Sequence, residues 1–348
     1  MGKGPPRTIT STFVETPTQI SQSRDRLPMD APTIADIYAA RKRIRPYLPP
    51  TPLRTYPGIN ELLDAEAWVK HENHQPTCAF KIRGGINLVS QMTPEEKARG
   101  VVTASTGNHG QSIALAAQTF GVRATICVPD GANPDKVAAI RSYGAGIAEY
   151  GRDFDEARLN AERISKEEGL RYIHSANEPH LVAGVGTIGL EIMDERPDLD
   201  AVIAPIGGGS CASGCSIVFK ALKPDTRVIG VQAEAAPSVY LSYRSGKLEQ
   251  TPPVTTFADG LATRQAFELP VQILRKNLDD FVLVSEGEMK QAIKIYAERA
   301  HTIAEGAGAA SLAAAIKLRE QLRGKKIGLV LSGGNLTAAM LRDILNQP

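Results

Sequence analysis

Thr77-Cys78-Ala79-Phe80-Lys81-Ile82-Arg83-Gly84-Gly85 sets one lysine between two apolar side chains, just ahead of paired glycines. Lysine is ordinarily a solvated surface residue, because burying an unpaired ammonium is costly. Phe80 and Ile82 give Lys81 apolar neighbours, and Arg83 adds a like charge. Both influences lower an amine's pKa and free its lone pair for covalent chemistry. A lone lysine is no site, so its meaning depends on what the rest of the chain brings to it.

Outward from this stretch, short runs rich in Val and Ile alternate with longer segments of helical spacing. Strands are expected over 67–71, 101–105, 124–129, 147–151, 171–175, 201–206, 228–233, 281–285 and 327–332. Helices are expected over 34–48, 109–120, 136–142, 154–168, 181–193, 212–222, 286–301, 309–323 and 336–345. Thr33 is a natural cap for the first helix, and Pro49-Pro50 stops it. Such alternation predicts an α/β fold with mostly parallel sheets. Four of the strands fall between 100 and 177, which predicts a small domain at 100–177 inserted into a large one built from 31–99 and 178–348. Ligands of open α/β sheets bind at the carboxyl ends of strands, so the cleft between the domains is the expected site. Residues 1–30 are polar, without the apolar core of a secretory signal, and read as a loosely packed arm.

Composition excludes several classes. Lys plus Arg total 40 against 38 for Asp plus Glu, and aromatics are only 5%, so no nucleic-acid surface is expected. No apolar run approaches the roughly 18 residues that span a bilayer. Cys78, Cys127, Cys211 and Cys215 lack the spacing of a zinc site, and in a chain this long they read as reduced thiols of a cytoplasmic protein.

Three segments, each directly after an expected strand, are suited to a phosphorylated ring: Ser105-Thr106-Gly107-Asn108-His109-Gly110, Gly207-Gly208-Gly209-Ser210 and Ser332-Gly333-Gly334-Asn335. The triple glycine lets backbone N–H groups approach an anion at a helix N-terminus, or it is simply a tight strand-to-helix turn. Gly184-Val185-Gly186-Thr187-Ile188-Gly189 matches a dinucleotide pattern, but no convincing strand precedes it, so these glycines read as close-packing positions. An amine, a phosphate cradle and a hydroxyl for a ring nitrogen make one coherent set, which points to pyridoxal 5′-phosphate with Lys81 as its covalent anchor.

These motifs, in this order, resemble the fold-type II pyridoxal-phosphate enzymes, the tryptophan synthase β-like family, and within it the serine/threonine dehydratases and serine racemases. The resemblance runs from about residue 35 to the C-terminus. It implies that Lys81 anchors the cofactor and moves the α-proton. It implies that Asn108 bonds the cofactor's phenolic oxygen, that Gly207, Gly208, Gly209 and Ser210 hold its phosphate, and that Ser332 meets its ring nitrogen. Phe80 and Gly260 would line the ring faces, and Glu305 resembles a family acid near the ring. Ser105, Thr106, Asn108 and His109 would meet the substrate carboxylate. Arg158, His174, Ala176 and Thr263 are candidates for the side-chain pocket.

The implied activity is α,β-elimination from a β-hydroxy amino acid, threonine or serine by default, giving a 2-keto acid and ammonia. The alternatives are a serine racemase, or a dehydratase for a bulkier or acidic substrate such as phenylserine or threo-3-hydroxyaspartate. A serine hydroxyl at the ring nitrogen has no reason to hold a proton there, which favours expulsion of a β-leaving group. Thr106 stands where family racemases carry a serine. No metal is expected: Tyr240 replaces the second carboxylate of a family cation site, and Glu234 with carbonyls alone makes a poor cage. A homodimer is implied, and no regulatory domain is expected after Pro348.

Overall fold

The computed structural model describes residues 30–252 and 256–347, so all of the expected N-terminal arm except Asp30 lies outside the described residues. Ten strands form two sheets: β1 Leu53–Thr55, β2 Glu66–His71, β3 Val101–Ala104, β4 Ala124–Val128, β5 Gly146–Glu149, β6 Arg171–Tyr172, β7 Ala201–Pro205, β8 Arg227–Ala233, β9 Asp280–Val284 and β10 Lys326–Leu331. The larger sheet has the order β1-β2-β10-β7-β8-β9 and the smaller the order β5-β4-β3-β6. Every pairing is parallel except β1 with β2.

The α/β fold with mostly parallel sheets is therefore as expected. β10 returns from the far end of the chain to lie between β2 and β7, so the larger sheet closes around everything inserted between them. Parallel strands covered on both faces should be almost continuously apolar. β7 is buried throughout, as is β10 apart from Lys326. One face of the larger sheet packs against the alanine-rich helix Gly306–Lys317, and the other against the helix Ser210–Leu222. Each fully buried Ile or Leu contributes about 1.5–3 kcal/mol.

The smaller sheet packs one face on the helix Phe154–Glu168. Its other face meets the helix Asn108–Thr119, and Ile37, Ile82 and Ile86 from helices earlier in the chain join that cluster. Thr33 caps the first helix through Asp36 N, with the Asp36 carboxylate returning the bond. The helix Pro179–Glu195 carries the dinucleotide-like glycines, and they are indeed packing positions. A Cβ on Gly184 would lie 2.6 Å from Arg83 O, and one on Gly186 2.6 Å from Ile37 Cδ1. Among the described residues, no helix is long and apolar enough to cross a membrane.

Candidate active site

Lys81 is the first residue of the helix Lys81–Ser90. Its backbone is held from three sides. Phe80 N donates to Ser332 O at 3.0 Å, Ala79 bridges to Gly333, and Ser112 Oγ donates to Lys81 O at 2.7 Å. The helix's first turn is also gripped through Arg83, whose guanidinium is fully enclosed. It bonds Glu72 at 2.7 and 2.8 Å and Glu191 at 2.6 and 2.8 Å. Lys70 completes the group, 2.6 Å from Glu191 Oε2. Two cations thus face two carboxylates, and Arg83 is spent inside this quartet. Arg83 therefore does not act as the like charge expected beside Lys81. Burial draws the Lys81 amine down to about 8, with Cys211 opposing the shift.

The Lys81 amine donates to Ser175 O at 3.0 Å and to Ser210 Oγ at 3.3 Å, and stands 5.4 Å from the centre of the Phe80 ring. Ser210 opens the thirteen-residue helix after β7, and Gly209 precedes it with φ of +100°, a conformation that favours glycine. The amine therefore reaches the N-terminus of that helix, where free backbone N–H groups and the helix dipole favour an anion.

A cavity of about 740 Å³ contains this junction. It is lined by Phe80, Lys81, Ser105, Thr106, Asn108, His109, Gly207, Gly208, Gly209, Ser210, Gly260, Glu305 and Ser332. The structure thus gathers all the expected site residues except Glu234, which pairs with Lys317 at 3.4 Å instead. Among the described residues, no group of three or more His, Cys, Asp or Glu side chains is placed to hold a metal ion. Of the side-chain-pocket candidates, Arg158 and Thr263 line the cavity. Ala176 stands behind Gly208, and His174 packs edge-on against Phe267 at 4.4 Å.

Two polar groups in the cavity have telling environments. Glu305 Oε1 accepts from Asn108 Nδ2 at 2.7 Å, and burial raises its carboxyl to about 7, with Asn108 opposing the rise. Thr103 Oγ1 donates its single hydrogen to Ile173 O at 2.7 Å, so at 3.0 Å it accepts from His109 Nε2. His109 Nδ1 is buried and has no hydrogen-bond partner among the described residues. Burial, then the nearby charges of Lys81 and His174, hold this imidazole near 3, so it stays neutral at ordinary pH.

Sequence reading missed two features here. One is the charge quartet, whose members are scattered along the chain; the other is a pair of ionic contacts at the cavity wall. Lys136 pairs with Asp259, and Arg264 with Asp155 at 2.7 Å, each joining the smaller sheet's helices to the loop after Ala258. Only their charge made them visible, and charge is common on any surface.

The residues fit pyridoxal phosphate on their own geometry. The glycine loop is packed so tightly that a Cβ on Gly207 would lie 2.0 Å from Gly260 O, leaving bare backbone facing the cavity. The Lys81 amine is partly deprotonated at neutral pH and lies within hydrogen-bond reach of Ser210 at the end of that loop.

Known proteins agree with this geometry. An L-threonine ammonia-lyase of Thermotoga maritima is 41% identical over 90% of this chain and 78% of its own length. An L-threo-3-hydroxyaspartate ammonia-lyase of Saccharomyces cerevisiae is 37% identical over 88% of this chain and 94% of its own. The structure of maize serine racemase superposes with a TM-score of 0.87 at 31% identity, covering 91% of this chain and 97% of that one. A family model described as pyridoxal-phosphate dependent enzyme matches residues 44–333, a span that takes in Lys81, the glycine loop and Ser332 alike. With the fold, the cavity and the sequence in agreement, this chain belongs to the family of pyridoxal-phosphate dependent enzymes.

Proposed function

We propose that this protein is an ammonia-lyase of β-hydroxy amino acids, threonine or serine by default, releasing a 2-keto acid and ammonia. Its strongest support is Lys81: an amine drawn down to about 8 by burial, sharing one cavity with the glycine loop and Ser332. The ammonia-lyase relatives, matched over most of this chain, support the same reading.

In this reading Gly207, Gly208, Gly209 and the helix start at Ser210 would hold the cofactor phosphate, and Asn108 would donate to the phenolic oxygen. Ser332 would offer a neutral partner to the ring nitrogen, while Phe80 and Gly260 would flank the ring. When bound, the cofactor supplies an electron sink for the bond broken at the α-carbon. Lys81 Nζ would anchor it and would then take the α-proton. Ser105, Thr106, Asn108 and His109 orient the substrate carboxylate, with His109 neutral throughout. The β-hydroxyl leaves as water, a second water cleaves the C–N bond, and one amino acid yields one 2-keto acid and one ammonia.

The body at 100–177 inserted between 31–99 and 178–348, a homodimeric state and a cytoplasmic location belong to the same proposal. The two separate sheets support the first of these. A racemase is the second reading: Thr106 in the cavity wall keeps a hydroxyl that can handle a proton, while its added methyl and restricted rotamer weaken racemisation as the main activity. Keto-acid and d-amino-acid formation should be followed together over threonine, serine, phenylserine and 3-hydroxyaspartate. Keto acid should dominate. Dominant d-enantiomer would favour the racemase, and no keto acid from any of these substrates would refute the lyase.

A further inference from the structure

We propose that Asn335 is a positioning residue that sets which way round the Asn108 carboxamide faces, and so makes Asn108 a donor to the cofactor. Its side-chain nitrogen lies 2.9 Å from Thr77 O and 2.7 Å from the Asn108 side chain. Thr77 O is a backbone carbonyl and can only accept, so the Asn335 atom beside it must be the amide nitrogen. That nitrogen also faces Asn108, so the Asn108 atom it meets must be the oxygen. The Asn108 nitrogen is thereby turned to the opposite side, where it lies 2.7 Å from Glu305 Oε1.

A chain of forced choices thus runs from Thr77, in the loop that leads into Lys81, through Asn335 and Asn108, to Glu305. The three residues come from separate segments: Asn335 from the loop after β10, Asn108 from the helix Asn108–Thr119 and Glu305 from the N-cap of Gly306–Lys317. An amide nitrogen has two hydrogens, and Glu305 takes one of Asn108's. The other is free for an acceptor in the cavity that Asn108, Glu305 and Asn335 all line. Asn335 itself has no hydrogen left to offer, since Thr77 and Asn108 use both. It therefore acts through Asn108 rather than on the cofactor.

The inference rests on the cofactor assignment, and its test separates the two. Holoenzyme is prepared for wild type, Asn335→Ala, Asn108→Ala and the double variant. For each, the pH midpoint of the bound cofactor's absorbance, the cofactor's dissociation rate, kcat and KM are measured. If Asn335 works through Asn108, the double variant matches Asn108→Ala in midpoint and dissociation rate instead of adding a further change. Asn335→Ala alone should move the midpoint by about one unit and lower kcat roughly tenfold with little change in KM, the scale of a coupled contact pair. Asn335→Asp, which offers acceptors where donors are needed, should move the midpoint further by letting Asn108 turn around. Additive changes in the double variant would overturn the inference while leaving the cofactor assignment intact, as would a midpoint unmoved in both Asn335 variants. A wild-type protein with no cofactor band would overturn both. If Asn335→Ala does not fold, Asn335→Ser takes its place, with the same non-additivity required.

Discussion

The Lys81 amine stands 3.3 Å from the Ser210 hydroxyl, at the first residue of the helix that the triple glycine introduces. This places the proposed covalent anchor and the proposed phosphate-binding turn within reach of one small molecule. Burial draws the amine from its ordinary range down to about 8. Capture of pyridoxal phosphate by cofactor-free protein should therefore speed up as pH rises through about 8, because only the neutral amine attacks an aldehyde. Stopped-flow absorbance gives the midpoint; one near that of a free lysine would show that the amine is not desolvated.

Glu305 predicts a pH-dependent stability. Its carboxyl sits at about 7, above its ordinary 4.5, because burial disfavours the charge. A raised value means that the stabilising contribution is complete below the ordinary range and is lost as pH rises through about 7. Glu305→Gln keeps an acceptor for Asn108 and cannot ionise. The melting temperature of the cofactor-free Gln variant should gain on wild type between pH 4.5 and 8, and a gap constant over that window would contradict the assignment.

The buried quartet predicts an asymmetry between core and surface charge. Arg83→Met leaves Glu72 with no cationic contact and Glu191 with Lys70 alone, and should cost about 3–5 kcal/mol in urea unfolding. The exposed Arg41–Asp194 pair, 2.7 Å apart, should cost less than about 1 kcal/mol when Asp194→Asn breaks it. Equal costs would mean that the quartet is solvated in solution.

Gly207→Ala tests the cradle. The added methyl would lie 2.0 Å from Gly260 O, so the loop at 259–261 must move. Overpacking of this kind costs roughly 1–3 kcal/mol, and the cofactor's dissociation constant should rise by about tenfold or more. Unchanged affinity would place the phosphate elsewhere.

Much of this architecture was legible in the sequence because it is written in local pattern. The apolar runs 201–206 and 327–332 match β7 and β10 closely, and the Gly- and Ser-rich segments after them fall at the carboxyl ends where the cavity lies. Features whose cause lies far away in the chain were not legible. The helix Lys81–Ser90 contains Gly84 and Gly85, which look like punctuation. They instead give room to the backbone of Leu181 and to Ser112, where a Cβ would lie 3.0 and 2.5 Å away. β1 is a three-residue antiparallel edge, too short to show alternation. Nothing local in the sequence marks Lys70, Glu72, Arg83 and Glu191 as one group; only the fold buries them together. Asn335 stands in the Ser332-Gly333-Gly334-Asn335 motif, but its contacts with Thr77 and Asn108 appear only in the fold.

The most direct test is to reduce the holoenzyme with borohydride, digest it and locate the fixed pyridoxyl group by mass spectrometry. The group should be found on Lys81 and nowhere else, and Lys81→Ala should carry none. A label on another lysine, or wild-type protein that fixes none, would contradict the account.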